Sequence, residues 1–177
     1  MTLEPDILIS NSVPKPLWGV APRNCMPSGQ WTKMRQKCYA DAGYQCQACG
    51  VKKSEAVGGV LDCHEVYSIN FQTGTMELKA VKAVCRRCHA YIHLLRSAGM
   101  VQNGSMPEEF YDAVLSHGEA ILRAAGLPLR PEVPPEETWA DWKAWKLLFK
   151  GREYPPKFIS ARHADAHYAM LNAKRRH

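Results

Sequence analysis

Cys85 and Cys88 are followed at once by His89, and His93 comes one helical turn later. An earlier pair, Cys46 and Cys49, repeats the same two-residue gap. Two C-x2-C pairs supply four thiolates at about 2.3 Å around one tetrahedral Zn²⁺, and a site filled by four sulfurs is structural because no position stays open. His89 and His93 are then left for other chemistry. At i and i+4 on a helix their imidazoles project from one face and can bind one metal ion. The run "DCHEV" at 62 to 66 adds a thiol and an imidazole, Cys63 and His64, whose side chains point to opposite faces if the run is a strand. Cys63, His89 and His93 would make a three-ligand site with an open position, the arrangement of a catalytic metal, with His64 beside it as a general base near neutral pH. Asp62 replaces Cys63 if the strand is offset by one residue. A second histidine pair at the same spacing, His163 and His167, has no other ligating residue beside it and reads as surface.

These groups need elements to hold them. Trp31, Met34, Cys38 and Ala42 share a helical face over 31 to 44, which Gly43 ends. Residues 60 to 69 and 75 to 84 are rich in β-formers and read as a hairpin with "NFQTG" as its turn. From Arg86 to about Ser97 the pattern is helical. A helix is expected over 105 to 126, with Ser105 as N-cap, Glu108 completing a capping box and Gly126 as the stop. After a linker with four prolines, another helix is expected from Thr138 to Lys150, with Trp139, Trp142 and Trp145 as a packing stripe, and a last one over 160 to 175. The tally is α+β and predominantly helical. It divides into a proline-rich arm (1 to 30), a metal-bearing core (31 to 104) and a C-terminal helical extension (105 to 177).

Composition narrows the setting. Hydrophobic residues make up 46% and charged residues 23%, as in an ordinary globular protein. No apolar run approaches the roughly 20 residues that span a bilayer. The first ten residues lack a basic segment followed by an apolar one, so no signal peptide is expected and the reading is cytoplasmic. Seven cysteines, an odd number, favour metal ligation over disulfides there. The net charge of +6 permits a nucleic-acid partner without requiring one. The tail "NAKRRH" (172 to 177) reads either as a phosphate-tracking segment or as a frayed end.

"GYQCQACG", "LDCHEV" and "VCRRCHAYIH", in that order, resemble the HNH endonucleases of the ββα-metal class in their zinc-stapled subtype, known from phage and bacteria. The lead-in segments "PLWGVAPRN" and "WTKMRQKCYADAGY" are similar to those of the same group. The resemblance covers residues 31 to 98, or from about 14 with the lead-in. It implies a ββα-metal core and hydrolysis of DNA phosphodiester bonds with His64 as general base. It also implies His89 and His93 as ligands of a second divalent ion (Zn²⁺, Mg²⁺ or Mn²⁺) beside the structural zinc. Cys63 stands where the family usually has His or Asp, and a soft thiolate there favours Zn²⁺. The family's middle asparagine has no counterpart: the region reads Lys79, Ala80, Val81, and Asn70 falls earlier, in the turn. Lys79, Lys82, Arg86, Arg87 and Arg96 would meet phosphates, giving salt-dependent affinity with little sequence choice. The alternative is an HNH scaffold that binds DNA or a protein partner without cutting.

Overall fold

The computed structural model describes residues 2–174, without the side chains of Asn172 and Lys174, so the basic tail lies largely outside the described residues. The fold is α+β. Six α-helices accompany one mixed four-stranded sheet among the described residues. The helices are α1 (Pro22–Cys25), α2 (Gln30–Asp41), α3 (Arg86–Ile92), α4 (Leu94–Gln102), α5 (Glu108–Ala124) and α6 (Ala161–Lys174). The strands are β1 (Leu61–Asn70), β2 (Thr75–Cys85), β3 (Lys146–Phe149) and β4 (Arg152–Tyr154), in the order β1-β2-β3-β4. The chain forms two compact units that interleave along the sequence, and the β1–β2 hairpin contributes to both. No helix is long and apolar enough to cross a membrane.

The first unit comprises residues 1–12, 32–66 and 80–132. Its core is helical, with the 3₁₀ turn Pro5–Ile9 burying Ile7 and Leu8, α3 burying Tyr91 and Ile92, and α5 burying Val114 and Leu122. The α3–α5 contact depends on a missing side chain. A β-carbon on Gly118 would lie 2.2 Å from the Tyr91 ring. The ring is pinned from its far end, because the Tyr91 hydroxyl donates to the Leu129 carbonyl and accepts from Arg130. The expected capping box does not form: α5 begins at Glu108 after Pro107, and the Ser105 hydroxyl turns to the Met100 carbonyl and Asn103. Pro107 takes the N-cap position, and its carbonyl accepts from the Phe110 and Tyr111 N–H groups to open the helix. Gly126, at φ 66°, does follow the helix end.

The second unit comprises residues 13–31, 67–79 and 133–177. Leu17, Phe71, Met76, Trp145, Leu147 and Phe149 are its core. The helix expected over 138 to 150 is absent: 3₁₀ turns at Glu136–Thr138 and Trp142–Ala144 lead into β3. Tryptophans every third residue suit a three-residue turn as well as an α-helix. Nonlocal pairing decides between them, since β3 runs parallel to β2 with Thr75 opposite Lys146 and Glu77 opposite Leu148. Trp139 and Trp145 close on Phe71, with ring centroids 4.8 and 5.9 Å away. Gly74, at φ 69°, lets the hairpin turn meet this segment, for a β-carbon there would press on Ala140 and the Trp145 backbone at 3.0 Å. Phe158, just before α6, packs against His163 and His167 of that helix, so that pair serves packing.

Two helical glycines give opposite expectations. Gly118→Ala forces the Tyr91 ring aside and is expected to destabilise by about 1–3 kcal/mol. Gly99→Ala, in α4 with nothing within 4 Å, is expected to stabilise by about 0.5–1 kcal/mol. Urea unfolding of both variants checks the α3–α5 packing; two shifts of the same sign would contradict it.

Candidate metal centres

Cys46 and Cys49 lie on the loop after α2, which an isolated antiparallel bridge, Gln45 to Lys52, closes. Within it the Cys46 N–H donates to the Val51 carbonyl and the Gly50 N–H to the Cys46 carbonyl. Gln47 joins this loop to β2. Its N–H donates to the Ala83 carbonyl, and its side-chain oxygen accepts from the Ala83 N–H, both at 2.8 Å. That register brings the loop to the end of β2, where Cys85 precedes α3 and Cys88 lies in its first turn. The four sulfurs lie within 4.8 Å of one another, close enough to hold a metal ion such as zinc. Cys49 and Cys85 are 3.8 Å apart, the edge of a tetrahedron with bonds of about 2.3 Å. Hydrogen bonding among the thiols divides them, pushing Cys46 down to about 6 and Cys49 and Cys88 up, whereas a bound metal needs all four as thiolates.

A fifth group was not foreseen from the sequence. The His117 Nε2 of α5 stands 3.4 Å from the Cys88 sulfur. An imidazole N–H on a ligating sulfur orients it and spreads its charge. The only signal in the sequence is position: His117 flanks the buried Val114–Gly118–Leu122 stripe of α5, where a histidine needs a partner.

The second group lies one residue further along α3. His64, His89 and His93 offer ring nitrogens within 4.8 Å of one another. The ring centroids form a near-equilateral triangle, with 5.6 Å from His64 to His89, 5.2 Å from His64 to His93 and 4.8 Å from His89 to His93. The helix yields to make this triangle. His93 ends α3 and precedes α4 at φ −101°, ψ 45°, and the buried Ser97 hydroxyl donates to the Ala90 carbonyl across the break. His64 is only 4% exposed, and both its ring nitrogens are buried without a hydrogen-bond partner. Burial first, then the neighbouring His93 and His89, push its pKa down to about 3, so the ring is neutral with a lone pair available.

The expected trio of Cys63, His89 and His93 is not what the structure brings together. Strand alternation turns Asp62 and His64 toward α3 and Cys63 the other way, against Cys38 of α2. The hydrogen bond with Cys38 and burial raise the Cys63 pKa, so it stays a thiol, the form that does not ligate. Asp62 takes a supporting place: its Oδ2 lies 3.1 Å from His89 Nδ1, and that hydrogen bond holds the carboxyl below the usual carboxylate range. With Nδ1 so engaged, His89 presents Nε2.

The five expected phosphate-contacting residues are dispersed in their roles. Lys79 belongs to the second unit and pairs with Glu77; Lys82 pairs with Glu4. Arg86 is exposed over the Phe110 ring, Arg87 is half-buried, and Arg96 is exposed. Asn70 shapes the hairpin turn, its Oδ1 accepting from the N–H groups of Gln72 and Thr73.

Cys46→Ser is expected to abolish zinc retention by elemental analysis and to destabilise by more than about 4 kcal/mol. His117→Ala is expected to keep the fold and weaken zinc about 10- to 100-fold in a chelator competition. Unchanged competition would make the His117 contact incidental. No family model, curated protein or solved structure matches the chain.

Proposed function

We propose that the protein is a metal-dependent endonuclease of the HNH type, hydrolysing DNA phosphodiester bonds at the group formed by His64, His89 and His93. One observation carries the reading: three imidazoles from β1 and α3 converge, and the buried ring of His64 has no hydrogen-bond partner at either nitrogen. A buried polar group without a partner is unfavourable by about 1–3 kcal/mol, and a cation at the convergence point would remove that cost at one of the two nitrogens. In this reading β1, β2 and α3 are the ββα-metal core that the resemblance implies, and the four cysteines hold its structural zinc.

The group would supply a Lewis acid toward the phosphate and a bound water of lowered pKa. His64, His89 and His93 would hold such a cation through their ring nitrogens. Asp62 orients His89 through Nδ1. Arg86 and Arg96, exposed on α3 and α4, would meet the DNA backbone in this reading. In this reading His64 serves as ligand rather than general base, since its ring is buried and its nitrogens lie within 4.8 Å of those of His89 and His93. A second reading, a scaffold that binds DNA or a protein without cutting, is favoured by the use of Asn70 in the turn, which leaves no counterpart of the family's asparagine.

Nicking of supercoiled plasmid with added Zn²⁺, Mn²⁺ or Mg²⁺ tests the proposal. The protein is expected to nick, and His64→Ala and His89→Ala to lose nicking together with one equivalent of metal while the thiolate-bound zinc stays. Asp62→Asn is expected to lose about 10- to 100-fold. Loss of nicking in His64→Ala with both metals retained would return His64 to the role of base. Binding without nicking under every metal would select the scaffold.

A further inference from the structure

The loop that carries Cys46 and Cys49 also walls an open hollow of about 500 Å³, lined by Tyr44, Lys52, Lys53, Ser54 and Gly59 among others. Three features of it are independent. Tyr44 is 53% exposed, a large ring left in water within the first unit. Its backbone sits at φ 55°, directly after Gly43 at φ 58°, a conformation that residues with a β-carbon rarely adopt. Two exposed lysines, Lys52 and Lys53, line the same hollow, and the Lys53 N–H donates to the Tyr44 carbonyl at 2.8 Å, which ties the two backbones together. The Gln45–Lys52 bridge and the thiol cluster hold both sides of the hollow in place. A strained backbone that presents an aromatic ring to solvent is unfavourable for folding alone and marks a position kept for a ligand.

We infer that this hollow binds single-stranded nucleic acid, with a base stacked on Tyr44 and the flanking phosphates on Lys52 and Lys53. An exposed aromatic face between cations is the pattern that captures an unpaired base, whereas a duplex keeps its base faces covered. Gly59 lines the same hollow and adds no side chain to it. The inference rests on the nuclease reading for its class of partner. It adds that the substrate is held where it is unpaired, at a site apart from the three histidines.

The test is fluorescence anisotropy of a labelled oligothymidylate of about 12 nucleotides, against a duplex of the same length and an acidic peptide. The single strand is expected to bind tightest. Tyr44→Phe is expected to keep that affinity, and Tyr44→Ala and Tyr44→Gly to lose about tenfold. Tyr44→Gly is expected to show a Tm no lower than the parent, because glycine accepts the positive φ. The Lys52→Ala, Lys53→Ala double variant is expected to lower the slope of log affinity on log salt by about 1.4. Unchanged oligonucleotide affinity in Tyr44→Ala overturns the inference, as does tighter binding of the peptide or the duplex than of the single strand. His89→Ala separates the two claims. If neither it nor the parent nicks plasmid but both bind the oligonucleotide through Tyr44, the hollow stands and the nuclease reading falls. If the parent nicks and Tyr44→Ala binds and nicks equally, only the hollow falls.

Discussion

Four sulfurs held within 4.8 Å are the constraint on which the first unit is built. Deprotonated, such thiols repel; protonated, they bury weak donors with poor acceptors. A cation resolves both difficulties, and a metal site formed only in the folded state contributes its binding energy to folding. The sulfurs come from places far apart in the chain, the loop after α2 and the junction of β2 with α3. Gln47 brings the backbones together before any metal is considered, by its paired hydrogen bonds with Ala83. α5 joins the same point through His117, and its Gly118 admits the Tyr91 ring of α3 one turn away. The packing of α5 and the geometry of the thiols are therefore two views of one contact.

The histidine triangle inherits its position from this junction. Cys88 and His89 are consecutive, so whatever fixes the sulfur fixes where the imidazole starts. Two further adjustments complete the triangle. The break at His93 swings its ring toward His89, and the period of two along β1 sets Asp62 and His64 on the same face, one to orient His89 and one to complete the group. A straight helix through His93 would keep the i, i+4 pair but tie the second ring to the helical rise.

The sequence made local features legible and left nonlocal ones hidden. The hairpin was readable because alternation and the "NFQTG" turn are signals carried by neighbours, and β1 and β2 run over Leu61–Asn70 and Thr75–Cys85. The pairing of cysteines was readable from spacing. That Cys63 and His64 face opposite sides was also readable, but not which of them meets α3: Cys38 on the other face takes the thiol, and no local pattern announces that. β3 was hidden for the same reason. "KLLF" has no strand signal apart from its partner, and only the parallel register with Thr75–Glu77 makes it one. The capping box at Ser105 failed to a competitor equally local, Pro107, which fixes the helix start two residues later.

The placement of Cys63 also changes what chemistry the second group suits. With the thiol turned toward Cys38, the ligand set is three imidazoles and no sulfur. The Asp62 carboxylate is held by His89 Nδ1 rather than aimed alone into the centre. Imidazole donors suit Zn²⁺, Cu²⁺, Ni²⁺ or Fe²⁺, whereas Mg²⁺ and Ca²⁺ take oxygen ligands and keep their waters. If this group holds a metal, its donor type favours such an ion over Mg²⁺ or Ca²⁺. Because its Nδ1 hydrogen bond fixes the orientation of the His89 ring, the same Asp62 that is withheld as a ligand settles which nitrogen its neighbour presents.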